Sequence, residues 1–120
     1  MAVPALNQKA PDFRLQSTGN KTMLLSSLLG KKVVLYFYPK DNTPGCTLES
    51  QHFRDYFQDF ISKNTVIYGI SRDHLKSHEK FLSEHCLPFD LLSDVDETVC
   101  TLYDVIRMKN MYGKQVRGIE

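Results

Sequence analysis

Residues 36 to 50 read YFYPKDNTPGCTLES, an apolar strand that runs through two prolines and a glycine into a helix, with a cysteine at the junction. Cysteine is usually a small core residue. Cys46 instead stands at the mouth of a predicted helix. Thr43 suits the N-cap, and Pro44 suits the first helical position, where a missing N–H costs no intrahelical bond. Further on, Phe53, Tyr56, Phe57, Phe60 and Ile61 recur at the spacing of one buried helical face. Cys46 lies seven residues before Phe53 and shares that face in the first turn. Unpaired backbone N–H groups and the positive end of the helix dipole favour thiolate over thiol at such a position. The Thr43 hydroxyl, one turn earlier, can donate to the sulfur or to a substrate oxygen. A core cysteine in an ordinary helix start is the plainer alternative; Thr43, Pro44 and Gly45 around it favour a nucleophile.

Outward from this segment, helical and strand-like stretches alternate. KKVVLYFYP at 31 to 39 is a continuous apolar run, as expected of a central strand buried on both faces. NTVIYGIS at 64 to 71 repeats it, and FDLLSD at 89 to 94 is a shorter third. APDFRLQS alternates like a strand, Gly19-Asn20 then makes a turn, and KTMLLSSLLG reads as a strand running into a short helix that ends at Gly30. The pattern predicts an α/β fold with a largely parallel sheet in one domain over residues 1 to 120.

Composition narrows the class. Hydrophobic residues make up 42% and charged residues 24% of the 120, ordinary for a globular domain that folds without disulfide staples. A net charge of +1 favours neither nucleic acid nor an acidic membrane surface as partner. No apolar run has the length of a membrane span, and the first residues lack a secretory layout. Three cysteines without regular spacing point to a reducing cytoplasm rather than a disulfide framework. Arg107, Lys109, Lys114 and Arg117 read as a solvated loop.

Other constellations read as structural. Cys100 is expected to pack in the core of a short helix capped by Asp96, and capping also accounts for Asp94 and Glu97 better than a cation does. His74 and His78 are four apart and His85 adjoins Cys86, but without an HExxH or paired CxxC motif they are expected on solvated helix faces. His52, six residues after Cys46, points to another side of its helix, which argues against a Cys–His dyad. No Gly-rich loop for a nucleotide follows a strand.

YPKDNTPGCTLE resembles the active-site segment of the peroxiredoxins, carrying their Pro-x-x-x-Thr-x-x-Cys pattern as Pro39, Thr43 and Cys46. APDFRL, YGISRD, LLSDVDETVC and NMYGKQVRGIE are similar, in order, to segments of the Q-type branch, the bacterioferritin comigratory proteins. The resemblance covers nearly the whole chain. It implies a thioredoxin-like α/β fold, a mixed sheet flanked by helices, and thiol-dependent reduction of hydrogen peroxide and organic hydroperoxides. No metal or organic cofactor is implied, thioredoxin or another thiol is the expected reductant, and a monomer is the expected state.

By the same resemblance, Cys46 is the peroxidatic cysteine, Thr43 orients the peroxide and Pro39 shields the sulfur. Glu49 matches a position that orients a catalytic arginine; a solvated first-turn carboxylate favoured by the dipole is its competing reading. Many relatives carry a resolving cysteine five residues after the peroxidatic one, where this chain has Gln51. Others carry it on the later helix, here DHLKSHEKFLSEHC, which makes Cys86 the candidate, offset by about a turn from the family position near Leu82. In relatives, the segment matching VRGIE leads into a strand that opens with the arginine, followed by a second strand and a last helix. The chain is therefore expected to correspond to the first three quarters of the family domain, with Arg117 several residues short of the arginine position. The competing function is an inactive or chaperone-like binding module derived from such a domain. A thiol–disulfide oxidoreductase is weaker, because CxxC is missing.

Overall fold

The computed structural model describes residues 4–111 and 113–119. Strands β1 (Arg14–Ser17) and β2 (Lys21–Leu24) form a hairpin whose turn uses Gly19 and Asn20, both at positive φ. A 3-10 turn at Leu25–Leu28 leads to β3 (Lys32–Phe37). Helices α1 (Pro44–Asp55) and α2 (Phe57–Ser62) then cross over to β4 (Thr65–Ser71), and α3 (Leu75–Glu84) crosses over to β5 (Leu91–Ser93). Helix α4 (Thr98–Leu102) precedes a separate hairpin of β6 (Ile106–Met111) and β7 (Lys114–Ile119). The main sheet has five strands in the order β2-β1-β5-β4-β3; β3, β4 and β5 are parallel, and β1 joins β5 antiparallel.

Alternation along the strands sends side chains to two cores. Tyr36, Ile67 and Leu91 pack with Phe81, Leu87 and Phe89, while Phe53, Phe57 and Phe60 of α1 and α2 close that side. Their neighbours Phe37, Ile70 and Leu92 face the other way, against Phe13, Val99 and Tyr103. Helices thus cover both faces, and the α/β expectation is met.

Three sequence expectations change. Strand β3 does carry packed residues on both faces, but it lies at the edge of the sheet rather than its centre, pairing only with β4 among the described residues. Its apolar run records two covered faces, and face burial says nothing about how many strands adjoin. The aromatic stripe does not ride on one helix either. Tyr56 ends α1, and the turn there re-aims the chain into α2, so Phe57 and Phe60 meet the sheet while Tyr56 and Ile61 are exposed. Finally, the basic residues near the end belong to the β6–β7 hairpin and not to a loop. There Lys109 donates to the Ile119 carbonyl at 2.7 Å, Arg107 pairs with Asp104, and Arg117 pairs with Glu97 at 2.7 Å. Hairpin pairing holds these side chains beside fixed acceptors.

Candidate active site

The carboxyl ends of parallel strands are where α/β folds gather chemistry, and Tyr38 to Cys46 cross that end of β3. Pro44 opens α1 and Thr43 is its N-cap, as expected, but the Thr43 side chain does not cap. Its hydroxyl turns back and donates to the Lys40 carbonyl at 3.0 Å. Among the described residues the first turn of α1 thus has no N-cap side-chain bond beside Cys46, whose residue is 9% exposed. Pro39 is half-buried, and Glu49 lies one turn after Cys46 on the rim of a groove with Gly45, Leu48 and Phe53. Partial burial there raises the Glu49 carboxyl above its ordinary value, and among the described residues no cation pairs with it.

Beneath Cys46, Tyr36 stacks on Phe53 with centroids 4.7 Å apart, and its hydroxyl meets Ser50 of α1 at 2.9 Å. Tyr36 lies across Gly69 of β4, its register partner. A Cβ on Gly69 would fall 2.7 Å from the ring, so only glycine lets the tyrosine reach the helix.

Cys86 is not on α3, as its sequence spacing suggests. The helix ends at Glu84; Cys86 takes φ 52°, with its N–H directed to the Ser83 carbonyl and that of Leu87 to Leu82. This is a Schellman end with cysteine at the left-handed position that glycine normally fills. Cys86 is exposed, and Cys46, Cys86 and Cys100 are all free thiols. Helix α1 touches this end of α3: Gln51 lies 3.4 Å from His85 Nδ1, and Arg54 donates to the His85 carbonyl at 2.9 Å. Gln51 is about 7.5 Å along the helix axis from Cys46.

Cys100 packs as expected, fully buried. Burial, then its hydrogen bond to Asp94, pushes its thiol far above the ordinary value. Asp94 supplies more of the α4 cap than the expected Asp96, since its carboxylate accepts from the N–H groups of Val99 and Cys100 while Asp96 accepts only from Thr98.

The histidine expectation holds for exposed His74 but fails for His78. His78 is fully buried: Nδ1 donates to Asp41 at 2.8 Å and Nε2 to the Leu92 carbonyl at 3.0 Å. Asp41 also accepts from Tyr38 and Ser77, each at 2.7 Å, and its N–H donates to Asp73 at 2.8 Å. Burial alone would raise the Asp41 carboxyl; the bonds from His78 and Tyr38 outweigh that and hold it below its ordinary value. Asp41, Asp73 and His78 bring potential metal-ligating atoms within 4.8 Å of one another, but the hydrogen bonds already engage all three. Sequence reasoning missed this cluster. One signal was available: His78 shares a helical stripe with Leu75, Phe81 and Leu82 and so had to face inward.

The AhpC/TSA family profile matches residues 6–119. The chain belongs to that family. Within it, this peroxiredoxin is 49% identical over 115 residues to the putative peroxiredoxin bcp of Coxiella burnetii, spanning 96% of this chain and 76% of the relative. Peroxiredoxin Bcp of Bacillus subtilis is 45% identical over 115 residues, 96% of this chain and 73% of its own. A solved structure of the Xanthomonas campestris bacterioferritin comigratory protein, from work on its alkyl peroxide reduction activity, superposes with a TM-score of 0.83 at 44% identity. That match covers 89% of this peroxiredoxin and 68% of the other chain. The expected Q-type membership and thioredoxin-like fold are both borne out.

Proposed function

We propose that Cys46 is the peroxidatic centre of this thiol-dependent peroxidase and that Cys86 resolves it. The observation that carries the assignment is Cys46 in the first turn of α1, next to backbone N–H groups that the N-cap side chain leaves uncapped. The Cys46 thiolate attacks one oxygen of hydrogen peroxide or an organic hydroperoxide; an S–O bond forms, the O–O bond breaks, and the departing oxygen takes a proton as water or alcohol. Thr43 exchanges its Lys40 contact for the peroxide and orients it, while half-buried Pro39 keeps bulk water from the sulfur. Glu49 stands at the position that, by the family resemblance, orients an arginine over the nascent charge; none of the arginines among the described residues pairs with it. Cys86 thiol then displaces hydroxide from the Cys46 sulfenic acid, which leaves as water, and the resulting disulfide is reduced by two electrons from a dithiol such as thioredoxin. The exposure and left-handed backbone of Cys86 favour it over buried Cys100. Residues 1 to 120 belong to a single thioredoxin-like domain and correspond to about its first three quarters, working as a monomer in the cytoplasm without a metal or organic cofactor. No helix among the described residues is long and apolar enough to cross a membrane.

Mass spectrometry with cysteine mapping after one equivalent of hydrogen peroxide tests the proposal. Rapid oxidation confined to Cys46, followed by a bridge to Cys86, is expected. Slow and unselective oxidation of the three cysteines would overturn it.

A further inference from the structure

The segment from Tyr38 to Thr43 carries Pro39 and Thr43 and delivers the chain to Cys46, so its position decides where a peroxide is held. Within the segment Thr43 reaches Lys40 and Tyr38 reaches Asp41, while the Tyr38 N–H continues the ladder to the Ile70 carbonyl. Everything else converges on Asp41, which is 5% exposed and is reached from separate elements. Ser77 and His78 come from α3; Asp73, just after β4, receives the Asp41 N–H and is itself bonded by Ser71. Through its other nitrogen His78 is tied to Leu92 of β5. Both ring nitrogens thus face acceptors, since a carbonyl and a carboxylate can only receive. The nearby Ser71 hydroxyl, 3.5 Å from Nε2, gives its own proton to Asp73.

We propose that His78 is a positioning residue for the peroxide reaction, holding the Tyr38–Thr43 segment in register through the Asp41 carboxylate. The inference rests on the reading of Cys46 as the peroxidatic cysteine. His78 has no route to the peroxide in this arrangement, because both of its nitrogens are engaged and its side chain is sealed from solvent. Its effect passes through Asp41, two residues before Thr43 and five before Cys46. Loosening this tie leaves Cys46 a thiol on a helix start but misplaces the oxygen and ring that orient and shield the substrate. The peroxide reaction needs an in-line approach at the sulfur; alkylation by iodoacetamide makes no use of Thr43 or Pro39. The two reactions of one thiol therefore separate positioning from general damage.

The test compares wild type, His78→Leu and Ser77→Ala by three readouts: Cys46 oxidation by hydrogen peroxide, Cys46 alkylation by iodoacetamide, and amide exchange at Lys40 to Thr43. His78→Leu is expected to slow peroxide oxidation by about 10- to 100-fold per folded molecule. Alkylation holds or rises, and the segment exchanges faster. Equal loss in both reactions, or no loss in either, would overturn the proposal. Should His78→Leu fail to fold, Ser77→Ala removes one of three donors to Asp41 and leaves the imidazole in place. Several-fold faster exchange at Lys40 to Thr43, with slower peroxide oxidation, supports the anchor; unchanged exchange overturns it. If wild-type Cys46 is not selectively oxidised, the functional reading fails instead, and the exchange measurement still decides whether Asp41 anchors the segment.

Discussion

His78 and Asp41 stand 37 positions apart in the chain and meet at 2.8 Å, with side chains 0% and 2% exposed. Asp41→Ala removes the only carboxylate among the described residues that faces Tyr38, Ser77 and His78 together, stranding the buried Tyr38 and His78 donors and the half-buried Ser77 hydroxyl. A loss of about 3–5 kcal/mol in unfolding free energy is expected from urea titration, the scale for breaking a buried pair. Because the Asp41 carboxyl is held low, its contribution is complete above the ordinary carboxylate value of 3.8 and is lost as pH falls through the lower folded value.

Glu97 should set a second acid transition. Hydrogen bonds from Arg117, then from Arg72, lower its carboxyl from 4.5 to about 2. A depressed acid stabilises the fold above pH 4.5 and stops doing so as pH falls through about 2. Amide protection in the β6–β7 hairpin, taken relative to intrinsic exchange at each pH, is expected to stay constant above pH 4.5 and to fall as pH drops towards about 2, because Arg117 ties the hairpin to Glu97. Glu97→Gln should remove that dependence.

Substitution at Thr43 should separate binding the peroxide from making the nucleophile. Thr43→Val deletes the hydroxyl that now rests on Lys40 and is expected to slow Cys46 oxidation by roughly 100-fold, the scale for losing one oriented donor. Thr43→Ser should retain most of the rate in the same stopped-flow assay. Cys46→Ser should abolish turnover, whereas Cys86→Ser should block the bridge and spare the first oxidation.

Gly69→Ala is expected to cost about 1–3 kcal/mol, the usual price of overpacking a filled core, because the new methyl meets the Tyr36 ring. Combining it with Tyr36→Phe should cost no more than adding the loss of the Ser50 bond if the clash is with the ring itself, and thermal melts of the single and double variants check this.

At the end of α3, Cys86→Gly should stabilise the protein by about 1 kcal/mol, the cost of a side chain in the left-handed region. It should also abolish the Cys46–Cys86 bridge. Iodoacetamide mapping of the native wild type should label exposed Cys86 and leave Cys100 untouched until the protein unfolds.

Local spacing was enough to reveal the alternation of strands and helices, the helix start at Pro44 and the place of Cys46 within its first turn, because each depends on residues within a turn or two of one another. The cap residue Thr43 was legible for the same reason, although its hydroxyl found a different acceptor. What spacing could not show were relations that exist only once the crossovers bring distant segments together. An apolar run looks alike in a central strand and in the edge strand β3, since it registers covered faces and not neighbouring strands. Periodicity carries the aromatic stripe straight through Tyr56, where backbone geometry ends the helix. A histidine among charged residues reads as solvated until Asp41, Ser77 and the Leu92 carbonyl surround it, because burying a polar ring is favourable only where partners already wait. The cysteine at the helix start was written in one segment of sequence, whereas the buried Asp41–His78 pair was assembled by the tertiary fold.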